Sequence, residues 1–61
     1  MNEKLHLAII RKGLNQRKLA DRAGVPEAYI SLAMHGKYNL SDKQQNKIAE
    51  VLGVKREEIF D

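Results

Sequence analysis

The sequence predicts an all-α fold, a compact bundle of five short helices. Three observations lead there. Apolar residues recur at helical spacing in five segments, and no alternating apolar–polar run of useful length offers a strand. The four glycines, Gly13, Gly24, Gly36 and Gly53, each close an apolar-periodic segment, as residues at helix C-termini do. The connections left over are about 2–6 residues long, the usual length between helices in a small domain.

The first helix is expected over residues 3–12, with Leu5, Ala8, Ile9 and Lys12 along one stripe. Arg11 and Lys12 fall in its last turn, where cations suit the helix macrodipole. The second spans residues 16–23, with Asn15 as N-cap and Leu19, Ala20 and Ala23 facing inward. The third spans 26–34, because proline is favoured at a first helical position and Pro26 is the only proline. The fourth spans 42–52: "SDKQ" places Ser41 at the N-cap and Gln44 three residues on, a capping box, and Ile48, Val51 and Leu52 form its apolar face. A last turn over 55–60 is anchored by Val54, Ile59 and Phe60.

Length and composition narrow the class. Sixty-one residues make one domain, residues 1–61, with no repeat, low-complexity tract or linker. A domain this small buries only about 60% of the surface its unfolded chain exposes. It has no cysteine to add a disulfide or thiolate metal site. Net charge is +3 and the pI about 9.5, a mild basic excess compatible with nucleic acid and shared with many ordinary domains. No stretch approaches the ~18 apolar residues of a membrane span, and no charged segment precedes an apolar run with a small-residue cleavage site. A cytoplasmic protein without membrane contact is expected. His6 and His35 lie far apart with no metal-ligand spacing, and no nucleophile, base and orienting group recur together. Hence no metal, cofactor or catalytic residue is expected, and the protein is not read as an enzyme.

The informative stretch is "QRKLADRAGVPEAYISLAMH", residues 16–35. Two short helices joined by a turn of three or four residues form a helix-turn-helix when they cross near 90–120°. That crossing needs a small residue at the closest approach, which Ala20 supplies. It needs a left-handed backbone to open the turn, which Gly24 allows without a Cβ. Leu19, Ala23, Val25 and Ile30 are expected to fill the angle between the helices.

At these residues the chain resembles the lambda-repressor-like family, the Cro and repressor (XRE) type of bacterial and phage DNA-binding domain. The resemblance is carried by "GLNQRKLADRAGV", "YIS", "HGK", "IAEVLGV" and "EEIF", and covers about residues 5–60 with the spacing between segments. It implies five helices, the third of which enters the major groove of double-stranded DNA. It also implies roles for particular residues. Glu27, Ala28 and Leu32 take the positions that face bases, with Ser31 nearby. Gln16 starts the second helix, where its amide and the backbone N–H groups meet a phosphate. Arg17 beside it reaches the backbone, and Lys37, Tyr38 and Asn39 lie in the loop that grips phosphates, with Lys43 as a further candidate. Read from its side chain rather than the resemblance, Tyr29 packs its ring while its hydroxyl reaches a phosphate or water, with direct base contact as the alternative. Blander readings stand beside these: Gln16 suits a first helical position for its own sake, and Arg17 and Lys18 suit a solvated face.

Two departures from the family pattern stand out. Many members pair an arginine in the first helix with a glutamate just after the recognition helix; here those positions hold Ile9 and Met34. Losing both partners together avoids a stranded buried charge, which costs about 3–5 kcal/mol. Ile9 and Met34 are therefore expected to touch, with heavy atoms within about 4.5 Å, and Met34 to fill room left by Ala33. The second departure is a recognition face with no basic or amide side chain. A carboxylate accepts from cytosine N4, and alanine and leucine touch thymine methyls, so readout remains possible; affinity must come from the residues around it.

The expected function is thus sequence-specific DNA binding by a repressor-type transcription regulator. It would bind a pseudo-palindromic operator as a homodimer, while being monomeric when free. The rivals are a protein-interaction module on the same scaffold, favoured by Glu27 and Leu32, and an antitoxin, which would need a toxin-binding surface.

Overall fold

The computed structural model describes residues 1–60. It contains α1 (Glu3–Arg11), α2 (Gln16–Ala23), α3 (Glu27–Met34), α4 (Asp42–Leu52) and α5 (Arg56–Ile59), with no strand among the described residues. The all-α, five-helix expectation is met. Helix α1 ends just before the expected boundary, with Lys12 as its C-cap, and α5 is a single turn that both begins and ends slightly inside the expected span.

Side chains start four of the helices; at α5 the Glu58 carboxylate accepts from the Lys55 amide at 2.7 Å. The Oδ1 of Asn2 accepts from the Leu5 amide at 3.0 Å, and that of Asn15 from the Lys18 amide at 2.8 Å. At α4 the Ser41 hydroxyl accepts from the Gln44 amide, and the Gln44 side chain accepts from the Ser41 amide, at 3.1 and 3.0 Å. Helix α3 differs, and corrects the expected place of its proline. Pro26 is the N-cap, with ψ 135, and the first helical residue is Glu27. The ring restricts φ but permits either a helical or an extended ψ, and the chain leaving the turn takes the extended one. As a result no side chain caps α3.

The helices close on one hydrophobic core. Helix α2 lies at its centre, packing on α3 and on α4, while α1 packs on α3 and α5. Leu19 and Ile30 are fully buried on facing helices, and Ala20 is 6% exposed where a larger side chain would push them apart. Gly24 has φ 68 and ψ 30, and its amide bonds to the Ala20 carbonyl at 2.9 Å, so the chain leaves α2 through a left-handed residue and enters α3 at Glu27. Ile9 and Met34 are both buried in the one core, so Met34 does not point into solvent.

Asn2 joins three helix ends. Its amide N–H donates to the Met34 carbonyl at 2.7 Å, its side-chain Nδ2 donates to the Ile59 carbonyl at 2.7 Å, and its Oδ1 caps α1. The end of α3 is thereby tied to the start of α1 and the end of α5. By contrast, the Arg56–Asp42 ion pair at 3.2 Å has an Asp42 side chain 88% exposed, and pairs of that kind contribute about 0–1 kcal/mol.

Candidate nucleic-acid interface

The face of α3 away from the core is open. Its core side carries Ile30 and Met34, four residues apart and buried. Ala28 and Leu32, also four apart, are exposed on another side, with Leu32 at 41%. Ser31 is half-buried at the edge. Glu27 is exposed because it is the first helical residue and projects past the core, and its carboxylate sits at the positive end of the α3 macrodipole. That last observation gives Glu27 a structural role whatever it touches: it is the acidic group of a first turn that lacks a side-chain cap.

The loop after α3 is fixed to this face by two contacts. The Lys37 amide donates to the Leu32 carbonyl at 2.8 Å, so the backbone of an exposed cation is bonded to a residue of the outward surface. The rings of Tyr29 and Tyr38 stack with centroids 4.7 Å apart at an interplanar angle of 23°. Leu40, 5% exposed, anchors the far end of the loop in the core, and its carbonyl accepts from Gln45 Nε2 at 3.2 Å. Lys37 and Asn39 are therefore exposed on either side of a tyrosine whose ring is held against α3.

The remaining predicted residues start other helices. Gln16, half-buried, and Arg17, exposed, open α2. Asn15 satisfies the Lys18 amide there, and the amides of Gln16 and Arg17 have no acceptor within the helix. Exposed Lys43 lies in the first turn of α4. The structure thus brings Leu32 to Lys37 and Tyr29 to Tyr38. Gln16, Arg17 and Lys43 form no hydrogen bond to that group.

Two features escape the sequence reading. Asn2 carries a legible signal, an N-cap residue just before a helical segment, although its long-range bonds do not. The tyrosine stack carries none, because residues nine apart across an irregular loop have no fixed spatial relation. Among the described residues no group of three His, Cys, Asp or Glu is arranged to hold a metal, and no helix is long and apolar enough to cross a membrane.

A family model for helix-turn-helix proteins matches residues 5–59, covering α2, the turn and α3 together with the helices that support them. The chain belongs to the helix-turn-helix family. Its type within that family is the lambda-repressor-like, XRE one, whose members are DNA-binding transcription regulators and generally not enzymes. No match was found among curated proteins or solved structures. In this helix-turn-helix protein α2 and α3 are the two motif helices, and residues 24–26 are the turn. Double-stranded DNA is the partner that the family implies.

Proposed function

We propose that this protein is a repressor-type transcription regulator that reads a specific double-stranded DNA site by inserting α3 into the major groove. The observation that carries the reading is the outward surface of α3, solvent-exposed in a helix-turn-helix whose supporting helices all match the family. Glu27, Ala28, Ser31 and Leu32 contact base edges. Glu27 accepts from a cytosine N4, and Ala28 and Leu32 meet thymine methyls. Gln16, Arg17, Tyr29, Lys37, Tyr38, Asn39 and Lys43 contact phosphates, which set register without reading sequence. The Lys37 amide closes the end of α3 on the Leu32 carbonyl, so the backbone of the loop begins beside the last turn of α3.

The site is a pseudo-palindrome bound by a homodimer. The domain is 24 Å in its longest extent, less than the ~34 Å between the centres of half-sites one helical turn apart, so one copy covers one half-site. The rival reading, a protein-interaction module on this scaffold, is favoured by exposed Leu32 and acidic Glu27 on α3. Selection of bound sequences from random duplex DNA distinguishes them, followed by titration of the selected site and its single-base variants at several salt concentrations. The proposal expects one enriched palindromic motif. It also expects Arg17→Ala and Lys37→Ala each to weaken all sequences alike and to lower the salt slope by about one. An unenriched pool, with no site preference at low salt, overturns it in favour of the interaction module.

A further inference from the structure

The outward face of α1 is apolar where the core has no use for it. Leu7 is 46% exposed and Ile10 56%, more than any other large apolar side chain except Met1. Neither belongs to an element assigned to DNA. At 3.6 residues per turn, Glu3, Leu7, Ile10 and Arg11 share an arc of about 100°, opposite the buried stripe of Leu5 and Ile9. Glu3 and Arg11 are exposed, and neither forms an ion pair among the described residues. This face is therefore an apolar centre with an acid toward one end and a base toward the other, bordered by exposed Lys4 and His6.

We propose that this face binds the same face of a second copy, with α1 antiparallel to α1 and the two-fold axis passing at Leu7. A two-fold interface must be complementary to itself, each residue meeting the one that its own counterpart meets. Glu3 and Arg11 are each four residues from Leu7, about 6 Å along the helix axis. An antiparallel pair centred on Leu7 therefore sets Glu3 of each copy beside Arg11 of the other, twice over. Leu7 meets Leu7, and each Ile10 flanks that contact, opposite the aliphatic stem of Lys4 on the other copy. The helix macrodipoles also oppose, which is the favourable arrangement for neighbouring antiparallel helices.

The face is small. Two large apolar side chains per copy fall far short of the ~800 Å² per partner that a stable interface buries, so the free protein pairs weakly. Two copies held on adjoining half-sites meet at a high effective concentration, and weak pairing then suffices. That consequence rests on the DNA reading; the pairing itself does not, and it is tested without DNA.

The test is sedimentation equilibrium of the full chain from micromolar to millimolar concentration. The samples are wild type, Glu3→Lys, Arg11→Glu, and an equimolar mixture of the two variants, each checked for folding by circular dichroism. Wild type is expected to show reversible dimer formation toward the upper end of the range. Each single variant turns both ion pairs into repulsions, and its dimer is expected to weaken about tenfold. In the mixture, a heterodimer restores opposite charges at both contacts. At one contact the new lysine of the first variant faces the new glutamate of the second. At the other the native Arg11 of the first faces the native Glu3 of the second. The heterodimer is therefore expected to return to near wild-type strength. A face that served only folding, or that bound an unrelated protein, would not produce that recovery. Wild type that stays monomeric throughout overturns the proposal, as does a mixture no stronger than the separate variants.

Discussion

Replacing Tyr38 by alanine tests whether the loop after α3 is held in place by the aromatic stack. The ring centroids are 4.7 Å apart and the planes within 23° of parallel, a stacked geometry worth about 0.5–1.5 kcal/mol beyond area burial. Each tyrosine remains 38–39% exposed, so the stack shields part of each side chain and its value falls in that range without a large burial term added. A domain of 61 residues has roughly 3–9 kcal/mol of total stability, so the loss is measurable by urea denaturation. The assay is a double-mutant cycle with Tyr29→Ala and Tyr38→Ala, whose coupling should be about 0.5–1.5 kcal/mol. In DNA binding the same coupling corresponds to about two- to tenfold weaker affinity, because freed Lys37 and Asn39 must be ordered again on each encounter. That loss should be equal for selected and random DNA if the loop contacts phosphates, as proposed. Tyr29→Phe and Tyr38→Phe keep the stack and remove the hydroxyls, so they separate ring packing from direct phosphate contact. A coupling below about 0.3 kcal/mol, or an altered base preference with unchanged affinity for random DNA, would refute the reasoning.

Other perturbations act on different parts of the structure. Ile9→Arg places a charge at a position 3% exposed and should destabilise by about 3–5 kcal/mol in thermal denaturation; adding Met34→Glu should recover part of that loss, and a double variant no more stable than the single would contradict a shared site. Glu27→Ala should tighten binding to random DNA and cut discrimination at one base pair by roughly 1–3 kcal/mol in competition titrations. It should also cost about 0.3–1 kcal/mol of stability, because α3 loses the acid of its uncapped first turn. Asn2→Ala removes both the α1 cap and the bond to the Ile59 carbonyl, and should cost about 1–3 kcal/mol by chemical denaturation.

Local chemistry made most of the fold legible. Asn15 before an apolar-periodic segment, the Ser41–Gln44 capping box and the glycines at the segment ends report interactions completed within a few residues, so α2 and α4 were placed to the residue. The motif was readable for the same reason: Ala20 and Gly24 answer steric demands set by neighbouring backbone. The buried places of Ile9 and Met34 also followed from the sequence, because two absent charges leave two apolar residues that require no partner but each other's surroundings. Pro26 shows the limit of local reading. Its φ suits both a helix start and an extended cap, and only the path from the turn into α3 chose between them. The tyrosine stack and the two long-range bonds of Asn2, to the Met34 and Ile59 carbonyls, depended on where the chain returns after a loop or across the whole domain. Such contacts are decided by tertiary packing, because an irregular loop imposes no period on its side chains, and a helix end finds its distant acceptor only after the core has brought the two together.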